Sequence, residues 1–310
     1  MKLFIEAPFS AENREFLLNS ISGCELCENA SEAEIFVGDL PENTDFPNLK
    51  FLQICFAGAE KYCREKTVSD GVVIANVTGA FGEVISEYIL GAVLAVYRKF
   101  FGYKSLQAEK SWLDLGSERT IFGENALILG CGNIGSLTAK KLGAFGARVV
   151  GIRKNPRRTE FFDEVYGIET LEEQLPKADL VVCCLPDTPL TAGLFDKKKI
   201  SLMKQNVLFV NVGRGSLVDE KALAEALEEK RIFGAILDVF REEPLPKSSP
   251  LWSLPNVFIT PHISGKSFHH SPVIERKIAE ICAENINRFL DGKQPKNLIR
   301  REIGYAENIE

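Results

Sequence analysis

The stretch at residues 125–153, NALILGCGNIGSLTAKKLGAFGARVVGIR, constrains the fold of this chain more than any other segment. A short apolar run at 126–129 gives way to glycines at Gly130, Gly132 and Gly135. Helix-forming residues follow, and then a second apolar run at 147–152, directly before Arg153. A strand, a turn, a helix and a second strand in this order predict a βαβ unit.

Each of the three glycines has a physical role in such a unit. The first allows a tight turn, the second lets the backbone approach a pyrophosphate, and the third lets the helix lie close to its strand. The pyrophosphate then meets the free N–H groups and the positive dipole end of the new helix. A G-x-G-x-x-G pattern alone is weak evidence, and the alternative is a glycine-rich turn without a ligand. Because the flanking elements stand where a dinucleotide site needs them, the stretch predicts such a site.

The residue at the end of the second strand discriminates between the two nicotinamide dinucleotides. An NAD site carries Asp or Glu there, which accepts hydrogen bonds from the ribose hydroxyls. In this chain the position is Arg153, and Lys154, Arg157 and Arg158 follow it. A guanidinium can bind a 2′-phosphate bidentately, with roughly 4 kcal/mol of attraction at about 4 Å before screening and desolvation. The sequence therefore predicts NADP(H) as the preferred cofactor and NAD(H) as the second candidate; the alternative is a solvated basic loop.

Composition and charge exclude several classes of protein. The 310 residues suffice for two domains, and 45% hydrophobic with 26% charged residues is typical of a soluble globular protein. A formal net charge of −6 without a basic stripe argues against a nucleic-acid partner. The longest apolar run, at 88–97, is too short to cross a bilayer, and residues 1–5 form no signal-peptide core. We therefore expect no membrane partner.

The eight cysteines are scattered along the chain, which suits reduced thiols and a cytoplasmic location. Cys24 and Cys27 form a C-x-x-C pair. Since no second pair and no nearby histidine complete a ligand set, the sequence predicts no metal site.

Apolar runs of strand length alternate with helical segments in both halves of the chain. They lie at 3–7, 35–38, 51–56, 72–75, 180–185, 207–212, 235–239 and 257–260. Near-continuous apolar strands that alternate with helices predict parallel sheets covered on both faces, hence an α/β fold with a smaller first domain. Helical periodicity predicts one long helix at 81–99 that bridges the domains and another at 271–290.

Polar residues follow three strands of the second half. Arg214 follows the run at 207–212, Asp238 and Glu243 follow 235–237, and His262 follows 257–260. Ligands of open α/β sheets bind at the carboxyl ends of strands. A histidine carries protons at neutral pH, a carboxylate partner favours its charged form, and an arginine can bind a substrate carboxylate. Singly, each residue has a structural interpretation, but Arg214, Glu243 and His262 together predict an active site that protonates a carbonyl accepting hydride.

Three segments resemble the signatures of the D-isomer-specific 2-hydroxyacid dehydrogenases: NVGRGSLVDEKAL at 211–223, LDVFREEPLP at 237–246 and NVFITPHISG at 256–265. The glycine-rich unit and ADLVVCCLPDTPLTAGLF at 178–195 match that family too. The resemblance implies two doubly wound parallel-sheet domains, Rossmann-like and flavodoxin-like, with an active-site cleft between them. It implies a substrate-binding domain at 1–96 and 286–310, an NADP-binding domain at 97–285, and a homodimer.

The resemblance also implies residue roles. Arg214 binds the substrate carboxylate, His262 is the acid/base, Glu243 is its partner, and Asp238 orients the nicotinamide carboxamide. CFAGAEKY at 55–62 resembles the substrate loop, where backbone N–H groups bind the carboxylate. The implied substrate-binding residues are Ala57, Gly58, Arg214 and His262. The implied cofactor-binding residues are Gly130, Gly132, Asn133, Ile134, Gly135, Arg153, Lys154, Pro186, Thr191, Val212, Gly213, Arg214, Asp238, His262 and Gly265.

The sequence thus predicts an NADPH-dependent 2-oxoacid reductase, an NAD(P)-dependent oxidoreductase that acts on CH–OH groups. Hydride passes between nicotinamide C4 and substrate C2, and family analogy favours small substrates such as glyoxylate or hydroxypyruvate. One alternative is an NAD-linked D-lactate or phosphoglycerate dehydrogenase, against which Arg153 argues. The other is a non-catalytic NAD(P)-sensing binding protein of the same fold, whose peptide-docking extensions are not recognisable here.

Overall fold

The computed structural model of the chain describes residues 1–41, 44–64, 68–302 and 304–306. The chain forms two compact units. Unit 1 comprises Met1–Phe81 and Lys266–Glu310, and unit 2 comprises Gly82–Gly265. Each unit is built on a parallel β-sheet, so the predicted α/β fold with two parallel-sheet domains is confirmed. Of the helices in the described ranges, none is long and apolar enough to span a membrane.

The regular elements follow one another as strand and helix along most of the chain. The strands are β1 Lys2–Ile5, β2 Glu25–Leu26, β3 Ile35–Val37, β4 Phe51–Gln53, β5 Val73–Ala75, β6 Asn125–Leu129, β7 Arg148–Arg153, β8 Glu164–Gly167, β9 Leu180–Cys183, β10 Leu208–Asn211, β11 Gly234–Leu237, β12 Val257–Ile259, β13 Ile299–Arg300 and β14 Tyr305–Ala306. The α-helices are α1 Ala11–Asn19, α2 Glu60–Arg64, α3 Gly82–Tyr97, α4 Phe100–Ala108, α5 Asn133–Ala144, α6 Leu171–Gln174, α7 Lys197–Leu202, α8 Glu220–Glu228 and α9 Pro272–Leu290.

Unit 1 contains a five-stranded parallel sheet in the order β2-β1-β3-β4-β5. Every residue of β3 and β4 is buried, because a parallel sheet covered on both faces leaves no strand face in water. The strand order is that of a flavodoxin-like sheet. Strands β13 and β14 form a separate antiparallel pair.

A buried carboxylate joins α1 and α9 within unit 1. Glu275 accepts hydrogen bonds from the Ser10 backbone N–H at 2.5 Å and from Asn13 Nδ2 at 3.1 Å. Burial alone would raise the pKa of Glu275, but these hydrogen bonds outweigh burial and hold the pKa below its usual value. The charge therefore stabilises the start of α1, where backbone N–H groups lack helical partners.

Unit 2 contains a seven-stranded parallel sheet in the order β12-β11-β10-β9-β6-β7-β8. Strands β9, β10 and β11 are buried at every residue, which explains their near-continuous apolar sequences. The chain winds outwards in one direction from β6 and in the other from β9. The carboxyl ends of β6 and β9 therefore form the switch point, where ligands bind in sheets of this kind.

The two units divide the chain at different residues from the expected boundaries at 96 and 285. Helix α3 packs against α5 in unit 2, and Lys141 Nζ donates to Glu83 Oε2 and Ser86 Oγ at 2.8 and 2.9 Å. Helix α9 packs into unit 1, where Asn285 Nδ2 donates to Gln53 Oε1 at 2.9 Å. The domain boundaries at 96 and 285, which the family resemblance implies, stay a prediction.

Candidate active site

The glycine-rich turn joins β6 to α5 at the switch point of the unit 2 sheet. Gly130 has a φ of +99°, a conformation that glycine adopts without steric cost. A Cβ on Gly135 would lie 1.8 Å from the Gly130 carbonyl oxygen, so only glycine lets the helix lie this close to the strand. A Cβ on Gly132 would meet nothing within 4 Å. The turn thus exposes open backbone at Gly132 beside a tightly packed helix start.

The N-terminus of α5 fits the pyrophosphate of a dinucleotide. Gly132 is the N-cap residue and has no side chain to accept hydrogen bonds, and the first turn carries no acidic residue. The N–H groups at a helix start and the positive end of the helix dipole favour a phosphate group. The predicted cofactor residues Asn133 and Ile134 begin this helix, so their N–H groups are among those that a helix start leaves without helical partners.

Arg153 is the last residue of β7, which pairs with β6 in the sheet. Its Nη1 donates to Thr159 Oγ1 at 3.3 Å, while Lys154 is exposed. Cys131 stands between the first two glycines. Burial raises the pKa of Cys131 to about 11, and the charge of Arg153 acts in the opposite direction. The Cys131 thiol donates to the Ile152 carbonyl at 3.6 Å, so the residue before Arg153 contacts the glycine turn.

The remaining predicted cofactor residues of this region lie at the ends of β9 and β10. The Thr191 hydroxyl donates to the Pro186 carbonyl at 2.6 Å and thereby closes the loop after β9. Val212 and Gly213 directly follow β10, and a Cβ on Gly213 would lie 2.6 Å from the Leu185 carbonyl oxygen. These two loops therefore pack backbone to backbone beside the switch point.

His262 and Glu243 form a hydrogen-bonded pair. His262 Nδ1 lies 2.8 Å from Glu243 Oε2, and Glu243 Oε1 accepts the Phe240 N–H at 2.9 Å. Within unit 2 the His262 side chain is 51% exposed, which suits a group that must meet a substrate. Because Nδ1 is engaged by the carboxylate, Nε2 is the ring nitrogen with which His262 could reach a substrate.

Arg214 begins a short 3-10 turn after β10. Its Nη1 donates to the Gly213 carbonyl at 2.8 Å, and Asn211 Nδ2 donates to the Arg214 carbonyl at 3.0 Å. A Cβ on Gly215 would lie 1.8 Å from the Phe240 carbonyl carbon. The turn that carries Arg214 therefore packs directly on the loop that leads to Glu243. Since β10, β11 and β12 are neighbours, the three predicted catalytic residues lie at the ends of adjacent strands.

Asp238 is fully buried and holds the loop that carries His262. Its Oδ1 accepts from the Thr260 hydroxyl at 2.6 Å and from the Ile263 N–H at 2.8 Å, and its Oδ2 accepts the Ser264 N–H at 2.9 Å. Contact of Asp238 with the nicotinamide carboxamide stays a prediction. The last predicted cofactor residue, Gly265, follows this loop directly.

The predicted substrate residues of unit 1 lie in the loop between β4 and α2. The Ala57 carbonyl accepts a hydrogen bond from Asn76 Nδ2 at 2.7 Å. The Ala57 carbonyl and the Gly58 N–H belong to one planar peptide, so Asn76 fixes the direction of that N–H. Sequence reasoning missed Asn76, whose one signal is a polar residue directly after a buried strand.

Comparison with known proteins identifies the family of the chain. The family model described as "D-isomer specific 2-hydroxyacid dehydrogenase, NAD binding domain" matches residues 90–264, which is more than half of the chain. The chain belongs to the D-isomer-specific 2-hydroxyacid dehydrogenase family. The resemblance of the three sequence signatures is thereby confirmed.

The relatives of this 2-hydroxyacid dehydrogenase are named for different substrates. The glyoxylate reductase of Korarchaeum cryptofilum is 29% identical over 96% of this chain and 88% of its own length. The D-3-phosphoglycerate dehydrogenase of Methanocaldococcus jannaschii is 31% identical over 89% of this chain and 53% of its own length. The crystal structure of the NADPH-dependent glyoxylate/hydroxypyruvate reductase from Sinorhizobium meliloti, in complex with NADP and sulfate, matches with a TM-score of 0.82 and 26% identity, covering 98% of this chain and 99% of that one.

Family membership establishes the reaction class. The chain is an NAD(P)-dependent oxidoreductase that acts on the CH–OH group of 2-hydroxy acids, and its substrates are small 2-oxo or 2-hydroxy acids. The predicted enzyme class and the nicotinamide cofactor are confirmed at this level.

Proposed function

We propose that this 2-hydroxyacid dehydrogenase works as an NADPH-dependent reductase of small 2-oxo acids, with glyoxylate and hydroxypyruvate as the first candidates. The observation that carries the proposal is the 2.8 Å contact between His262 Nδ1 and Glu243 Oε2. A histidine held by a carboxylate is the proton donor that carbonyl reduction needs. Its place, two strands from the arginine at the end of β10, suits a substrate that carries a carboxylate next to its carbonyl.

A reduced dinucleotide, which the glycine turn and the start of α5 would hold, would supply the hydride, with its two electrons, that C2 of the oxo acid accepts. His262 Nε2 donates a proton to the carbonyl oxygen as negative charge develops there, and the product is the 2-hydroxy acid. Glu243 orients the ring through Nδ1 and stabilises the imidazolium before the transfer. Arg214 binds the substrate carboxylate through its fork of N–H donors. For Ala57 and Gly58 we retain the expectation that their backbone N–H groups bind a carboxylate.

We infer a preference for NADP(H) from Arg153. The guanidinium stands at the end of β7, where an NAD site carries a carboxylate, and Ile152 before it accepts a hydrogen bond from Cys131 of the glycine turn. The basic Lys154 extends the positive charge at this strand end. The S. meliloti relative is described as NADPH-dependent and in complex with NADP.

Replacing Arg153 with Asp is expected to lower the ratio of kcat/KM for NADPH to that for NADH by at least about tenfold. The substitution exchanges an attraction for a repulsion at the 2′-phosphate, and each tenfold corresponds to about 1.4 kcal/mol. The measurement is the initial rate of NADPH and NADH oxidation in parallel. The exposed Arg158→Asp is the matched control and should change the ratio less than about threefold. Equal use of both cofactors by the unmodified enzyme would refute the preference.

The substrate class is tested by NADPH oxidation with glyoxylate, hydroxypyruvate, pyruvate and phosphohydroxypyruvate. We expect the highest kcat/KM with one of the first two acids, as the names of the glyoxylate reductase relatives suggest. Highest activity with phosphohydroxypyruvate would favour the phosphoglycerate dehydrogenase alternative. Reduction of none of these acids, although NADPH binds, would refute the proposed substrate class.

We propose that the enzyme is a homodimer whose contact includes helix α4. None of the residues of α4 is buried, although its sequence begins Phe100-Phe101. Trp112 and Leu113, which follow the helix, are exposed as well. The proposal places the contact here because these large apolar side chains are exposed in one short segment of unit 2.

Replacing Trp112 with Glu is expected to raise the dimer dissociation constant at least about 30-fold. Exposed tryptophans that become buried in an interface contribute about 2 kcal/mol or more, and a carboxylate there would be desolvated. Sedimentation velocity over a concentration series measures the shift. Val273→Glu, at an exposed position on α9, is the control and should leave it unchanged. A monomeric unmodified protein at all concentrations would contradict the proposal.

A further inference from the structure

A chain of three side chains leads from helix α3 to the loop that carries His262. Thr260 Oγ1 lies 2.6 Å from Asp238 Oδ1 and 2.6 Å from the Tyr88 hydroxyl oxygen. An ionised carboxylate only accepts hydrogen bonds, so the single hydroxyl proton of Thr260 is directed to Asp238. The proton between Tyr88 and Thr260 must then come from Tyr88. The hydrogen bonds therefore run in one direction, from Tyr88 to Thr260 to Asp238.

The end of this chain fixes the backbone around His262. Besides the Thr260 hydroxyl, the Asp238 carboxylate accepts the N–H groups of Ile263 and Ser264. The Asp238 carbonyl accepts the His262 N–H at 2.8 Å. His262 itself has a φ of +52°, in the left-handed region that costs a non-glycine residue free energy. The strained conformation persists because Asp238 holds the loop on both sides of the histidine.

Burial keeps the chain of hydrogen bonds intact. Asp238 is fully buried and Thr260 is buried beside it, so water does not readily replace a lost donor. Burial also raises the pKa of Tyr88 to about 12, and the tyrosine therefore stays a donor at neutral pH. An unmet acceptor at Asp238 would be costly and would loosen the loop.

We propose that Tyr88 and Thr260 are positioning residues for the acid/base His262, acting through Asp238. The inference rests on the proposed function, because it assigns these two side chains to the step in which His262 delivers its proton. Neither touches the substrate in this role. Tyr88 lies on helix α3, at one end of this series of hydrogen bonds. The position of His262 therefore depends on a helix that is remote from His262 in the sequence.

The first test compares variants of Thr260. Thr260→Val removes the donor to Asp238 and is expected to lower kcat about 10- to 100-fold, because a displacement of about 1 Å at a catalytic group has effects of that size. Thr260→Ser keeps the hydroxyl and should restore kcat to within about threefold. KM for NADPH should change less than about threefold in both. A raised KM for NADPH with unchanged kcat would show that these hydrogen bonds serve cofactor binding instead and would overturn the proposal.

The second test uses Tyr88→Phe, which should lower kcat about three- to tenfold alone and cause no further loss in the Thr260→Val background. Tyr97→Phe is the matched control. It removes a buried hydroxyl from the same helix, one that donates to Glu124 Oε2 at 2.7 Å, and should leave kcat unchanged. Additive losses from Tyr88→Phe and Thr260→Val would show that the two side chains act independently and would overturn the proposal, since independent effects add.

A measurement independent of turnover separates failure of this inference from failure of the proposed function. The chain has three histidines, so the His262 ring resonances can be assigned by NMR with His262→Asn. We expect Thr260→Val and Tyr88→Phe to shift these resonances, and Thr260→Ser and Tyr97→Phe to leave them in place. Unchanged His262 resonances in Thr260→Val would refute the inference, whether or not the enzyme reduces any of the acids tested.

Discussion

Replacing His262 with Asn should lower kcat for 2-oxoacid reduction about 10²- to 10⁴-fold, the range that a positioned general acid contributes. Asn is the informative substitution because His262 has a φ of +52°, and Asn is among the few residues that tolerate this conformation. The backbone is thus preserved while the proton donor is lost. Single-turnover oxidation of NADPH measures the hydride step directly.

Two further variants serve as a comparison and a control for His262→Asn. Glu243→Gln keeps an oxygen for the Phe240 N–H but withdraws the charge from His262 Nδ1, so its loss should be smaller than that of His262→Asn. His270→Gln, at an exposed histidine of unit 1, should be indistinguishable from the unmodified enzyme. Retention of more than about a tenth of kcat by His262→Asn would remove this histidine from the chemistry, because general acids contribute more than that.

Gly135→Ala should lower the free energy of unfolding by at least about 2 kcal/mol, because overpacking a fixed backbone costs about 1–3 kcal/mol or more. The added Cβ would lie 1.8 Å from the Gly130 carbonyl oxygen, a backbone atom that cannot rotate away. Helix α5 would have to move from β6, so cofactor binding should fail as well. Urea denaturation followed by circular dichroism measures the loss.

Gly132→Ala is the matched partner of this experiment. Its Cβ would meet nothing within 4 Å, and a helix N-cap changed from Gly to Ala costs less than about 1 kcal/mol. The same methyl group would stand where the pyrophosphate has to approach the backbone, so the Kd for NADPH should rise about tenfold or more. If both variants lost the same stability, or if Gly132→Ala bound NADPH normally, the assignment of the turn would fail.

Much of the fold followed from the sequence because it depends on local patterns. Near-continuous apolar runs predicted the buried strands of both sheets, and each run overlaps an observed strand. The short strands β2 and β8 were missed, since both contain charged or exposed residues at a sheet edge and carry no apolar run. Helix α4 was missed for a related reason. With no buried residue it has no amphipathic pattern of its own to detect.

For the candidate site, too, some residues could be predicted from the sequence and others could not. Arg214, Glu243 and His262 could be grouped from the sequence, because residues after successive parallel strands meet at one edge of the sheet. Tyr88 lies in the segment at 81–99 that was predicted to be a helix, and nothing in the sequence marked its hydroxyl as a partner of Thr260. A hydrogen bond between residues so far apart in the chain leaves no periodic trace. The buried position of Asp238 likewise required the structure.

Unit 1 is assembled from two distant parts of the chain, whereas residues 82–265 form unit 2 without interruption. The core of unit 1 includes Cys282 and Ile286 of α9, and Glu275 satisfies the start of α1. During synthesis from the N-terminus, the first eighty residues therefore emerge long before the helix that completes their core. Unit 2 has all of its own strands as soon as β12 has been made. The discontinuity thus imposes an order on biosynthesis. Unit 2 can fold first, and unit 1 can complete its core only after helix α9 has been synthesised.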